Sequence, residues 1–233
     1  MPDQIIRIAR RFCGPPDSGN GGNVAGMLAK ALGGSGVEVT LMAPPPLDRD
    51  LVVSVAGDSA ELRDGERLIA VARRAAVEVE VGAVPSLAQA SAAEVRFSGF
   101  EQHNFPGCFV CGPERAQGDG LRIFPGALDA RDEAVVGVWQ PDSSLGSLAV
   151  TDVEFVWAAL DCAGYFAVQA AAGMAVLGRI AVEIVERPAI GQPVIVTGWG
   201  IAHDGRKHRV GTALHDRGGG LIAKASATWI TIG

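Results

Sequence analysis

From Phe155 to Ala172 the chain carries one charged residue, Asp161. Around it stand Ala, Val, Leu, Phe, Trp, Tyr, Cys and Gly, with Gln169 as a second strongly polar side chain. A helix that is apolar nearly all round is a buried helix. A carboxylate inside one is expensive unless it is paired, hydrogen-bonded or used in chemistry. About 18 apolar residues could also cross a bilayer. Against a membrane span stand the many alanines, the central Asp and the strand-like sequence on both sides. The rest of the chain must therefore fold around this helix, and its 233 residues, 48% of them hydrophobic, suffice for one large domain or two of about 110 residues.

Strand-like runs lie on both sides. Ile5 to Phe12 opens the chain, with Ile6 and Ile8 alternating against charged neighbours. The loop Cys13 to Asn23 leads into a mostly apolar helix, Asn23 to Leu32, stopped by Gly33 and Gly34. Val37 to Ala43, Leu51 to Ala56 and Ser59 to Arg63 follow, separated by prolines and by the Gly57-Asp58 turn. Arg67 to Val81 is a long run of mixed helix and strand character. A connection from Gly82 to Gly107 carries a strand at Ala93 to Phe97. Strands are expected at Leu121 to Phe124 and Glu133 to Trp139. After the buried helix come Ala175 to Pro188, with Ile180, Val182 and Ile184 on one face, then Pro193 to His203, His208 to Asp216 and Leu221 to Ile232.

Three landmarks recur in the same order. Pro16-Asp17-Ser18 precedes the first helix and Pro141-Asp142-Ser143 the second. Pro45 to Val53 aligns with Pro188 to Val196, and Leu68 to Ala72 with Leu221 to Ala225. In register with strand, helix and strands, they indicate a tandem duplication. Each half then has one buried helix against antiparallel strands.

Four stretches carry a resemblance: SGNGGNVAGMLAKAL, CFVCGPERAQGDGLRIF, FVWAALDCAGYFA and DRGGGLIAKASATWITI. The chain resembles double-hotdog acyl-CoA thioesterase-like proteins. The fold this implies is α+β, a tandem (double) hotdog with two antiparallel sheets, each wrapped around a central helix. The repeats would span residues 1–100 and 101–233, their sheets joined side by side. The implied activity is hydrolysis of an acyl-CoA or related thioester without a metal or separate cofactor, CoA being part of the substrate. A homodimer is the implied assembly.

In single-hotdog relatives a Gly-rich helix start faces an acidic residue of the other subunit. Backbone N–H groups and the helix dipole hold the developing oxyanion, and the carboxylate attacks or activates water. Here the parts are divided between the halves. Asn20-Gly21-Gly22 opens the first helix, which has Ala29 and Lys30 where an acid would stand. The second helix has Asp161 but no glycine pair before it. Stacking the helices gives one complete site, Asp161 with Gly21, Gly22 and Asn20, and a defunct mirror site around Thr151-Asp152-Val153 and Lys30. Asn20 replaces the His usual in the family. Gly-Gly also reads simply as a close helix approach. Asn23, Phe155, Trp157 and Tyr165 are candidate substrate contacts, although aromatic residues of a buried helix also serve as plain core. Arg206 and Lys207 read either as a clamp for CoA phosphates or as a solvated hairpin tip.

Other classes fit less well. A net charge of −6 argues against nucleic acid as a partner. Cys108-Phe-Val-Cys111 near His103 has the spacing of half a zinc site, but Cys13 and Cys162 are not a second such pair. Sparse cysteines fit a reducing cytoplasm, and no signal peptide is expected. No Gly-x-Ser-x-Gly elbow is present, and no dinucleotide-binding glycine pattern follows a strand. A hotdog hydratase would carry His five residues beyond the Asp, where this chain has Phe166. The alternative to hydrolysis is a non-catalytic protein that binds acyl-CoA or another acyl ligand.

Overall fold

A computed structural model describes residues 3–128 and 134–232. The elements are β1 (Gln4–Arg7), α1 (Gly21–Leu32), β2 (Gly36–Leu41), β3 (Asp50–Ala56), β4 (Ser59–Asp64), β5 (Arg67–Arg74), α2 (Leu87–Ala93), β6 (Gly126–Ala127), β7 (Ala134–Trp139), β8 (Gly146–Ser147), β9 (Val150–Thr151), α3 (Val153–Ala159), α4 (Cys162–Ala172), β10 (Ala175–Ile184), β11 (Val194–Asp204), β12 (Lys207–His215) and β13 (Leu221–Thr231). Eleven strands form one antiparallel sheet in the order β1-β3-β4-β5-β2-β10-β13-β12-β11-β7-β6. The short strands β8 and β9 pair separately.

The architecture is α+β. The two runs of strands, expected to join side by side, meet edge to edge as one continuous sheet, where β2 and β10 pair with Val39 opposite Ile180 and Val37 opposite Val182. Apart from β6, the strand order reads the same from both ends if β7, β10, β11, β12 and β13 are matched to β1 through β5. The recurring landmarks sit at matched places. Leu68 to Ala72 lies in β5 and Leu221 to Ala225 in β13, and each Pro-Asp-Ser stands ahead of a helix.

Several local expectations change. β1 ends at Arg7 and a 3-10 turn covers Arg10–Phe12. β5 ends at Arg74, and no strand or helix resumes before Leu87. Ala93 to Phe97 is not a strand. Ser86 and Gln89 close a capping box that starts α2, and an Ala-rich run then propagates as helix. Leu121 to Phe124 forms no regular strand, although the Leu121 and Ile123 amides donate to the Phe109 and Val110 carbonyls. Glu133, the expected start of β7, lies outside the described residues. The expected single buried helix breaks at Leu160–Asp161 into α3 and α4. The freed Leu160 carbonyl accepts a 2.8 Å bond from Thr212 Oγ1, a buried hydroxyl on β12. A side chain entering the helical ladder is a recognised cause of such breaks.

α1 packs against α3 and lies over β2 to β5 and β10, while α4 lies over β7 and β11 to β13. Two glycines one turn apart set the spacing of α1 and α3. A Cβ on Gly22 would lie 2.7 Å from Asp161 Cβ and 2.8 Å from the Trp157 carbonyl, and one on Gly26 would lie 2.6 Å from Glu154 Cα. These neighbours are backbone or backbone-fixed and cannot yield cheaply. The helices run antiparallel, since the far end of α1 meets the start of α3 through Lys30 and Glu154 at 2.9 Å. The α3–α4 stretch is long and apolar enough to cross a bilayer, but most of it is buried within the protein.

Gly26→Ala should therefore destabilise the fold by roughly 1–3 kcal/mol through overpacking. Gly82→Ala, where an added Cβ meets nothing within 4 Å, should stay within about 0.5 kcal/mol of wild type. Urea denaturation of both variants checks this contrast, and equal stability of the two would contradict the close packing.

Candidate functional site

The break between α3 and α4 places Asp161 directly opposite the start of α1. The carboxylate is 1% exposed. Its Oδ2 accepts 3.0 Å from the Gly22 amide and 2.8 Å from Asn20 Nδ2. Asn20 also caps α1, its Oδ1 accepting from the Asn23 amide at 2.9 Å. One side chain thus satisfies an orphan helix donor and turns its other end to Asp161. The first-turn amides and the helix dipole favour the charged carboxylate, while burial opposes it. Burial is the larger effect and lifts the Asp161 carboxyl to about 7. The Gly22 bond pulls it down, nearby Cys108 pushes it up, and the Asn20 bond lowers it. The second oxygen, Oδ1, is buried with no hydrogen-bond partner among the described residues.

These groups border a cavity of about 510 Å³ between the two halves of the chain. Asn20, Gly21 and Leu41 come from the first half, and Asp161, Leu177 and Ile230 from the second. Its wall is mostly apolar, and no Lys or Arg lines it among the described residues. Gly21 is in the wall, and its amide has no hydrogen-bond partner among the described residues. Gly22, expected to face a bound carbonyl, instead spends its amide on Asp161.

The candidate substrate contacts divide. Tyr165 lines the cavity. Its hydroxyl accepts from Asn104 Nδ2 and donates to the Gly173 carbonyl, both at 2.8 Å. Phe155 packs into the core on Phe12 and Phe109, with ring centroids 5.6 and 6.0 Å away. Trp157 is buried at the α1–α3 contact beside Gly26. Asn23 is buried, with both polar side-chain atoms lacking partners among the described residues. Arg206 and Lys207 stand exposed at the β11–β12 turn. The Arg206 carbonyl accepts from the Thr231 amide, between Ile230 and Ile232 of the cavity wall. At the mirror position Lys30 pairs with Glu154.

Cys108, Cys111 and Cys162 all reach the cavity wall beside Asp161. Sequence reasoning set Cys162 aside because it belongs to no Cys-x-x-Cys pair. Its one signal was adjacency to Asp161 in the chain.

No protein-family model matches the chain, and no curated protein matches it in sequence. Solved structures do resemble it along nearly its whole length. The tesB protein of Mycobacterium avium subs paratuberculosis has 11% identity, covers 99% of this chain and 93% of its own, and superposes with a TM-score of 0.64. A conserved hot dog fold protein of unknown function from Alicyclobacillus acidocaldarius has 10% identity, 99% and 93% coverage and a TM-score of 0.65. A candidate thioesterase II from Thermobifida fusca YX has 12% identity, 99% and 92% coverage and a TM-score of 0.66. The chain has the hotdog fold.

The raised Asp161 carboxyl predicts a pH dependence of stability. Its folded value, about 7, exceeds the ordinary 3.8. Its contribution to stability is therefore complete below 3.8, declines as pH rises and is gone above about 7. Thermal melts of wild type and Asp161→Asn across that window should show wild type losing stability relative to the variant as pH rises. Parallel curves would contradict the assignment.

Proposed function

We propose that this protein hydrolyses an acyl thioester, with acyl-CoA as the substrate class, at one composite site between two hotdog repeats, residues 1–100 and 101–233. The observation that carries this reading is the buried Asp161 carboxylate, aimed at the N-terminus of α1 inside an apolar cavity that draws on both halves. The thioesterase name of the Thermobifida fusca neighbour supports it, as does the palindromic strand order, which is what a duplicated single hotdog would produce.

In this reading the acyl group occupies the apolar cavity and its carbonyl oxygen lies at the start of α1. The Gly21 amide and the helix dipole stabilise the oxyanion as it forms. Asp161 takes a proton from water, the water oxygen attacks the thioester carbon, and the C–S bond breaks. The proton on Asp161 passes to the departing thiolate, leaving a carboxylic acid and a free thiol. A carboxyl near 7 suits both halves of that cycle, since it can hold and release a proton at neutral pH. Asn20 orients the carboxylate, the task of the family's His. The active assembly is a homodimer in the cytoplasm, and no step of this hydrolysis draws on a cofactor beyond the CoA of the substrate.

Thiol release from a panel of acyl-CoAs tests the reading. Asp161→Asn should lower turnover by about a hundredfold or more, while Lys30→Ala, at the mirror position, should change it little. Activity in wild type should rise with pH through about 7 as Asp161 ionises. Full turnover in Asp161→Asn would sink the proposal, and a cavity that binds acyl-CoA without any thiol release would make the protein a carrier.

In the same reading Arg206 and Lys207, exposed at the β11–β12 turn one strand from the cavity wall, hold the phosphates of CoA. Replacing both with Ala should raise KM at low salt several-fold with kcat retained, and the difference should shrink as salt screens the charges. An unchanged KM at low salt would return the pair to the role of a solvated turn.

A further inference from the structure

We propose that Cys108, Cys111 and Cys162 form a thiolate site for a zinc ion beside Asp161. The sequence alone argued for a metal-free chain, because one Cys-x-x-Cys supplies only half of a usual ligand set. The fold adds Cys162 from the first turn of α4. The three sulfurs lie within 4.8 Å of one another, and the Cys108 and Cys162 sulfurs are 3.9 Å apart. Tetrahedral zinc with Zn–S bonds of about 2.3 Å holds its sulfurs about 3.8 Å apart. Drawing the sulfurs together by at most about 1 Å would bring the cluster to that geometry.

The loop carrying the first two cysteines is a tight, closed turn. The Gly112 amide closes the turn on the Cys108 carbonyl at 2.9 Å. A Cβ on Gly112 would lie 2.5 Å from both the Cys108 and the Pro106 carbonyl oxygens, so the turn tolerates no side chain there. Asn20 Nδ2 approaches the Cys108 sulfur at 4.0 Å while bonding Asp161, tying the cluster to the carboxylate.

The donors around the cavity also suit a soft cation. Its wall holds one carboxylate, three thiols and His103, the carboxylate and thiols at most 5% exposed. A soft sulfur set selects zinc over magnesium or calcium. Three protein ligands leave the fourth position of a tetrahedron to water or a substrate atom from the cavity. The cluster excludes the fourth cysteine. Cys13 Sγ contacts the Gly107 carbonyl and Arg115 instead.

The proposal goes beyond the thioesterase reading and is measured without activity, so either can fail alone. Protein purified without chelator from zinc-replete medium should carry about one zinc per chain by elemental analysis. After the metal is stripped and the thiols are kept reduced, cobalt(II) should produce thiolate-to-metal absorption in the near ultraviolet. Cys162→Ser and Cys111→Ser should lose most of the zinc, and Cys13→Ser should keep it. Because the wild-type measurements stand alone, a variant that fails to fold leaves the test intact. Wild-type protein with neither bound transition metal nor a cobalt–thiolate band overturns the proposal. So does zinc that persists in folded Cys162→Ser.

Discussion

The contact of α1 with α3 through Gly22 and Gly26 is the constraint from which the rest of the structure follows. Glycine at these two positions lets one helix backbone rest almost on the other. That proximity brings the orphan amides at the start of α1 within hydrogen-bond reach of a side chain on the second helix. With ordinary side chains between them, the helices would stand the usual 8–10 Å apart, and the Gly22 amide could not reach Asp161. The same contact draws the two runs of strands to a common centre, where β2 and β10 join them into one sheet.

The break in the buried helix is the second condition. In an unbroken helix the backbone at Asp161 would continue the regular ladder. Instead Thr212 takes the Leu160 carbonyl, and Asp161 stands at the junction just ahead of α4. A carboxylate there is held by conflicting forces. The two hydrogen bonds to Oδ2 favour ionisation, and the surrounding apolar wall and Cys108 oppose it. Desolvation prevails, and the group titrates near neutrality, where a proton can be both accepted and given up. Structural anchoring alone would be better served by a permanently ionised Asp with both oxygens satisfied, whereas Oδ1 has no partner among the described residues.

The polar residues around the cavity therefore act as a group. Asn20 caps α1, bonds Asp161 and approaches Cys108. The thiols of Cys108, Cys111 and Cys162 line the same cavity as Asp161. The opposite end of the helix pair, where Lys30 meets Glu154, has become an ordinary salt bridge. The two ends of the helix pair thus differ, one a buried polar cluster and the other a partly exposed ion pair.

The sequence by itself determined the buried helix, the isolated Asp161, the strand-rich halves and their repeated landmarks, because apolar periodicity and turn residues act locally. It also distinguished the glycine pair, while leaving open whether it served a ligand or a helix contact. The tertiary structure assigned Gly22 to both the helix contact and Asp161. It also moved Phe155, Trp157 and Asn23 into the core and left Tyr165 on the cavity wall. Such choices depend on which face of a helix that is apolar all round meets which neighbour, and no periodicity encodes that. The helix break depended on a threonine 52 residues farther along the chain, and the three-sulfur cluster on a cysteine 54 residues from its nearest partner in space. Contacts of that separation exist only once the sheet has curled around the helices, so only the fold could decide them.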